Sequence, residues 1–361
     1  MTDEARPPQP RRPRSVWRPI VGVGISALFL WWALAGLELN EFMEALREAR
    51  FLWILPGVLA YFVGVWARTW RWHSMIRHLA DVPMRPLFRI VCIGYFGNNV
   101  YPLRAGELLR SYVLKREYDV RMSASLATVA IERLFDGLTM LAFVFVALPF
   151  VTLEAEGLVK YQPWIVGLTA LFLVALVTFL AIANRPQLVR RLATPPAELL
   201  SRAWLAIGAG VGDDDLPALR DRLLDFVDRF LMGLDSLARG RDVARIFATS
   251  VLVWLAETVK YWFVMHAFEG LAVSFFTLVL MNGVVNLATS LPAGPGHVGT
   301  FDGPGIAVLE AAGVGQALAT AYTIVLHVAL WLPVTALGGW YLWRSHISLR
   351  QAQHALAEDS A

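Results

Sequence analysis

The sequence is poor in cysteine and in charge. Its single cysteine, Cys92, lies in an apolar stretch and has no second thiol to pair with, so an internal disulfide framework and a cysteine-based metal site are both excluded. Charged residues make up 17% of the 361 positions, against about 25% in a typical soluble domain. Net charge is small as well. The 32 Lys and Arg against 29 Asp and Glu leave +3, with no basic stripe of the kind that follows a nucleic acid. Also missing are GxxxxGKS/T, GxSxG and a soluble domain with paired catalytic carboxylates. ATP-driven work by this chain alone is therefore not expected, and neither is a cofactor. His73, His78, His266, His327, His346 and His354 show no metal-ligand spacing, so no metal is expected.

Apolar residues are what the chain has in excess: 57% of positions, with a mean hydropathy of +0.53. Runs of about 20 apolar residues cross a bilayer as helices. Ile20–Leu37, Phe51–Ala67, Leu138–Leu153, Trp164–Ala183, Ile246–Phe268 and Leu318–Trp343 are expected to do so. The expected fold class is all-α, a polytopic membrane bundle. Residues 1–18 carry Arg6, Arg11, Arg12, Arg14 and Arg18 among prolines and read as a disordered cytoplasmic tail by the positive-inside rule. Trp31 and Trp32 in the first apolar run argue against a cleavable signal peptide. The transmembrane domain is expected over 19–345, with a second cytoplasmic tail over 346–361.

Charge placement then decides which apolar segments cross. After two spans the chain is back in the cytoplasm at Arg68, Arg71, Arg77, Arg85 and Arg89. Phe88–Tyr101 is short, is interrupted by Gly94, Gly97, Asn98 and Asn99, and stops at Pro102. A crossing there would export Arg104, Arg110, Lys115, Arg116 and Arg121, against the rule. Phe88–Lys115 is therefore read as a re-entrant hairpin from the cytoplasmic side, turning near Asn98–Gly106. The same reasoning makes Phe275–Val314 a second hairpin, entering from outside and turning in Pro292–Gly305, because a full crossing would export Arg344, His346 and Arg350. Within the polar segment 184–245, Leu216–Leu237 has helical apolar spacing and predicts an amphipathic helix at the membrane surface or against the bundle.

Repeat one (51–153) and repeat two (246–343) then share a span, hairpin, span plan in opposite orientations. Inverted repeats with broken helices place transporter substrate sites at the breaks. Asn99-x-x-Pro102-x-x-x-Gly106 can be laid over Thr289-x-x-Pro292-x-x-x-Gly296.

Ionisable groups at membrane depth cost roughly 2.5–3.5 kcal/mol each on insertion scales, so they mark candidate sites. Asn98, Asn99, Arg104, Gly106, Glu107 and Arg110 occupy the first turn and its return arm. Their arginines either offer planar forks to a phosphate or anchor the loop among headgroups. Glu132, Arg133 and Asp136 open the next span, with Arg104 and Arg110 as expected partners. They serve a structural ion-pair network, or a substrate or proton. Glu257 and Lys260, at i and i+3, pose the same choice. Pro292, Gly294, Gly296, His297, Gly299 and Asp302 belong to a loop whose backbone N–H groups suit an anionic headgroup or make a tight turn.

The ordered set Arg104-Ala-Gly-Glu-Leu-Leu-Arg110, Thr128-x-x-x-Glu132-Arg133-x-x-Asp136 and Leu291-Pro-Ala-Gly-Pro-Gly-His-Val-Gly-Thr-Phe-Asp302 resembles the lysylphosphatidylglycerol synthase transmembrane region, the flippase-like or UPF0104-type family, over most of the chain. The resemblance implies an integral membrane protein that handles lipids, like the flippase half of the multiple peptide resistance factor. Other members are associated with hopanoid or polyprenyl-linked sugar pathways. Two departures qualify it: the chain ends soon after its last span, so no aminoacyl-transferase domain is expected, and Asp302 stands where the family often has glutamate.

The function expected is translocation of a phospholipid or a polyprenyl-linked lipid in the cell inner membrane, with both termini cytoplasmic. Membrane lipids are the expected partners, and nucleic acid is not. The alternatives are a membrane-embedded transferase, an accessory subunit of a glycolipid or hopanoid pathway working beside separately encoded lipid-biosynthesis enzymes, and a structural scaffold.

Overall fold

The computed structural model describes residues 17–101, 105–151, 240–290 and 294–345, with a few single positions beside them. Among the described residues the regular structure is helical, with no strand. The helices are α1 (Trp17–Leu34), α2 (Leu39–Glu48), α3 (Ile54–Ile76), α4 (Met84–Val100), α5 (Ala105–Tyr118), α6 (Met122–Ala147), α7 (Gly240–Met265), α8 (Phe275–Ala288), α9 (Asp302–Ala311) and α10 (Gln316–Ser345). The expected span Trp164–Ala183, apart from single positions, and the expected amphipathic helix Leu216–Leu237 lie outside the described residues, as do the N-terminal 16 positions and nearly all of 346–361.

Large apolar side chains face outward as well as into the core. On α3, Leu55, Leu59, Val63, Trp66 and Trp70 form a stripe at i+4 and i+3 steps and are all exposed, Leu55 by 69%. The opposite face buries Arg68 and Arg71, the latter completely. Large apolar side chains outside and guanidinium groups inside minimise free energy only where the surrounding solvent is apolar. Phe51–Ile76 and Gln316–Ser345 are each long and apolar enough to cross a bilayer. This corrects one boundary. The span expected to end at Ala67 continues to Ile76, so Arg68 and Arg71 belong to the interior rather than to a cytoplasmic loop. Their charges are matched by partners, described below, that a hydropathy window does not register.

The helices pack through small residues, the usual device where neither partner gains by leaving water. Antiparallel α3 and α7 meet at Gly57, which faces Val264 and the Lys260 carbonyl, and at Gly64, which faces Ala256. Gly338 of α10 lies on the Cys92 carbonyl of α4, and Gly283 of α8 lies on Met140 and Val144 of α6. Between α4 and α5, Gly97 and Gly106 touch backbone to backbone, leaving no room for a Cβ on either. Asn98 Oδ1 accepts from the Gly106 N–H at 3.0 Å and pins that seam.

The main pairings are α3 with α7, α4 with α10, α6 with α8, α4 with α5, and α8 with α9. Two helix breaks punctuate this packing: one follows Val100 between α4 and α5, and the other follows Ala288 between α8 and α9. Helix α2, amphipathic and lying against α10, was not expected from the sequence.

Candidate functional site

The interior charges are held by α3, α5, α6 and α7. Arg71 Nη1 donates to Asp136 Oδ1 at 2.6 Å and to Ser250 Oγ at 2.7 Å, while Nη2 donates to Glu132 Oε1 at 2.7 Å and to Asp136 Oδ2 at 3.2 Å. One planar fork thus ties three helices, which a lysine cannot do. The other Glu132 oxygen accepts from Arg110 Nη2 at 2.7 Å. Asp136 also accepts from Trp254 Nε1 at 2.9 Å. Arg133 Nε donates to Glu107 Oε1 at 2.8 Å, and its Nη1 lies 3.7 Å from Asp136 Oδ2. On the α3–α7 seam, Glu257 receives Arg68 Nη2 and Lys260 Nζ, each at 3.2 Å. Aromatic faces cover the cations: Arg68 lies 4.2 Å from the Trp254 centroid, Arg110 4.7 Å from Trp72 and Lys260 4.7 Å from Tyr61.

In this network Arg68, Arg71, Arg110, Arg133 and Lys260 face Glu107, Glu132, Asp136 and Glu257. Among the described residues, one formal positive charge is left over.

A cavity of about 150 Å³ opens where the two helix breaks approach each other. Asn98 and Asn99 from the end of α4, Asn286 and Thr289 from α8 and its C-terminus, and Gly296 and His297 from the following loop line it. Arg68, Arg133 and Glu257 supply its charge. Tyr61, Tyr95, Trp254, Tyr261, Phe301 and Trp331 supply aromatic wall. A smaller void of about 20 Å³ adjoins it, sharing Arg68, Tyr95, Asn98 and Arg133 and reaching Arg110 and Glu132. The loop beside the cavity is fixed from α10. His327 Nδ1 lies 2.8 Å from Asp302 Oδ1, and Nε2 lies 2.8 Å from the Gly296 carbonyl. Gly296 and His297 both have positive φ, 70° and 58°, so the tip takes a left-handed bend that glycine makes cheaply.

The expected residues separate into three groups. Asn98, Asn99, Arg133, Glu257, Gly296 and His297 reach the main cavity. Arg110, Glu132 and Asp136 stand behind it as ion-pair supports, and Glu107 holds Arg133 rather than Arg110. Lys260 does not line the cavity and completes the Glu257 pair. Gly106, Gly294, Gly299 and Asp302 perform packing work: the Gly294 N–H donates to Ser26 Oγ, Gly299 abuts the Ser26 carbonyl, and Asp302 Oδ2 accepts from the Gly299 N–H at 2.8 Å. Arg104 and Pro292 lie outside the described residues.

Arg104 and Arg110 were expected to partner Glu132 and Asp136, and Arg110 does bind Glu132. The described partners of Asp136 are Arg71, Arg133 and Trp254, because the longer α3 carries Arg71 to that depth. Sequence reasoning also missed Arg68 and His327. The available signal for Arg68 and Arg71 was the i, i+3 spacing on a helix whose other face is wholly apolar.

Residues 20–338 match the family model described as the lysylphosphatidylglycerol synthase TM region. The chain belongs to that family. Among curated proteins, it is 25% identical to a UPF0104 membrane protein of Methanothermobacter thermautotrophicus, covering 88% of this chain and 92% of that one. A UPF0104 membrane protein of Pyrococcus horikoshii is also 25% identical, with 89% and 94% covered. The glycosyltransferase AglD of Haloferax volcanii is 26% identical, and the match covers 97% of this chain but 58% of AglD. This member of the lysylphosphatidylglycerol synthase TM family is thus a helical membrane protein whose interior is charged and whose relatives share nearly its full length.

Proposed function

We propose that this chain translocates a lipid by receiving its headgroup in the cavity between the two helix breaks while the acyl chains stay in the bilayer. The observation that carries the reading is the coincidence of both helix breaks with one polar, arginine-bearing cavity inside an apolar bundle. Irregular backbone at membrane depth persists where it is buried in protein or lines a wet cavity.

An inverted repeat supports the same reading. If α3, α4, α5 and α6 are exchanged with α7, α8, α9 and α10, each main helix pairing maps onto another: α4 with α10 onto α8 with α6, and α4 with α5 onto α8 with α9. The pairing of α3 with α7 maps onto itself. On this reading α4–α5 and α8–α9 are re-entrant hairpins entering from opposite faces, with both termini cytoplasmic. Repeat one then spans 51–153 and repeat two 246–343, within a transmembrane domain over 19–345. Broken helices of opposed repeats meeting at mid-membrane are a recurring transporter plan.

The test is transbilayer movement of labelled lipids in proteoliposomes, with and without an imposed proton gradient. Headgroup-selective movement that is lost in folded Arg133→Gln protein supports translocation. No movement of any lipid by well-folded protein refutes it and favours a second reading, an accessory or transferase role in a glycolipid pathway, which the similarity to AglD motivates.

A further inference from the structure

We infer that the cavity selects a phosphate ester carrying a hydroxyl-rich group, a sugar or polyol, and rejects a cationic aminoacylated headgroup. The inference rests on the cavity being the headgroup site. Three observations carry it.

The first is charge. Arg68 and Arg133 line the main cavity against one carboxylate, Glu257, and Glu257 is already shared by Arg68 and Lys260. Glu132, at the adjoining void, is likewise bound by Arg71 and Arg110. An entering ammonium therefore meets two guanidinium groups and no uncommitted carboxylate among the described residues. A phosphate meets the reverse situation. Arg133 is the least buried cation of the network, its side chain 35% exposed, and Glu107 occupies only its Nε among close contacts. Its planar fork suits phosphate oxygens.

The second is uncommitted neutral polarity. The Tyr95 hydroxyl is buried and has no hydrogen-bond partner among the described residues. The Asn98 amide accepts from the Gly106 N–H through its oxygen, and its nitrogen bonds to no described residue. Asn99 is the converse: its nitrogen donates to Thr335 Oγ1 at 2.7 Å and its oxygen takes no hydrogen bond from a described residue. A donor, an acceptor and a hydroxyl that serves as either are left beside one cavity, and the buried Tyr95 hydroxyl is costly unless a ligand or water satisfies it. A phosphate has no proton to give the Asn99 oxygen at full ionisation. A hydroxyl-bearing group satisfies all three.

The third is the wall. Trp254, Phe301 and Trp331 line the same cavity as these amides. Aromatic carbon next to carboxamides suits a molecule that carries C–H surface and hydroxyl groups together.

The experiment measures binding, separately from transport. The full chain in detergent is titrated calorimetrically with hexose 1-phosphate, glycerol 1-phosphate, inorganic phosphate, methyl hexoside and lysine methyl ester. Hexose 1-phosphate or glycerol 1-phosphate should bind about tenfold or more tightly than inorganic phosphate and the methyl hexoside, as expected for one or two additional buried hydrogen bonds. Lysine methyl ester should not bind measurably. Arg133→Gln should weaken the phosphate-bearing ligands, and Tyr95→Phe should reduce the preference for the hydroxylated ester over inorganic phosphate.

Equal affinity for inorganic phosphate and the esters, binding of lysine methyl ester at comparable strength, or no binding by any ligand overturns the inference. The wild-type panel decides this even if a variant fails to fold. Selective binding by a protein that moves no lipid leaves the inference standing and removes the translocator reading. Lipid movement without selective binding does the opposite. Vesicles of phosphatidylglycerol, compared with free glycerol 1-phosphate, then separate a lipid-borne from a soluble source of the same chemistry.

Discussion

Replacing Arg71 with methionine tests whether the interior network holds the bundle together. The substitution keeps a long flexible side chain and removes the fork that bonds Asp136, Glu132 and Ser250. Glu132 retains Arg110 at 2.7 Å. Asp136 is left with the Trp254 indole N–H and an Arg133 nitrogen 3.7 Å away, too far for a hydrogen bond. Breaking a buried pair by removing one partner costs about 3–5 kcal/mol, mainly through the charge left behind, and the loss expected here lies in that range.

Arg71→Lys keeps the charge but reaches one carboxylate at a time, and should lose about 1.5–3 kcal/mol. The decisive comparison is Arg71→Met/Asp136→Leu, which removes both halves of the pair. It should be more stable than Arg71→Met alone by about 1 kcal/mol or more, because the uncompensated carboxylate is gone. Denaturant titration in mixed micelles, followed by the fluorescence of the 14 tryptophans, measures all four proteins. Arg71→Met within about 0.5 kcal/mol of wild type, or a double variant no better than the single, would falsify the argument.

Four further outcomes are expected. Gly106→Ala should destabilise by about 1–3 kcal/mol in the same titration, because its Cβ would overlap the Gly94 carbonyl. Gly137→Ala, whose Cβ meets nothing within 4 Å, should be neutral or stabilising by about 0.5–1 kcal/mol. In a Cys92→Ser background, a cysteine at Lys115 should react with an impermeant maleimide only from the cytoplasm and one at Glu156 only from outside; labelling of Lys115→Cys from outside overturns the hairpin orientation. A Cβ built on Gly64 lies 3.9 Å from the Ala256 Cβ, within disulfide range, so Gly64→Cys/Ala256→Cys should cross-link on oxidation in that background. Failure to cross-link refutes the α3–α7 register.

Much of the helical plan is legible in the chain because its punctuation is physical. Apolar runs mark α1, α3, α6, α7 and α10, and the Gly-Asn and Gly-Pro interruptions fall at the two breaks. The site is less legible. Asn98, Asn99, Arg133, Gly296 and His297 were found because they sit at those breaks or beside other charges. Arg71 was misplaced because the positive-inside rule counts a charge and carries no information about a partner 65 positions away. His327 was missed for a related reason. Alone on an apolar helix it reads as a satisfied core residue, and only the fold brings Asp302 and the Gly296 carbonyl to its two ring nitrogens. Long-range pairing within an apolar solvent leaves no periodic trace.

The repeats proposed here are alike in packing and unlike in chemistry. In the first, the return helix α5 is held to the following span by Arg110 and Glu132; in the second, α9 is held to α10 by Asp302 and His327. Repeat one carries Arg68, Arg71, Arg110 and Arg133 against Glu107, Glu132 and Asp136, a surplus of one positive charge. Repeat two contributes Glu257 and Lys260, which cancel, and the Asp302–His327 pair. A headgroup passing between them would therefore not exchange one environment for its mirror image. On the proposed reading its phosphate would stay nearer the arginines of repeat one, while repeat two presents the glycine-rich loop and Trp331. In a symmetric device the inward- and outward-facing states would be of similar energy. Unequal charge in the two halves biases one of them, so rearrangement of repeat two around a headgroup held by repeat one fits this distribution better than equal rocking of both.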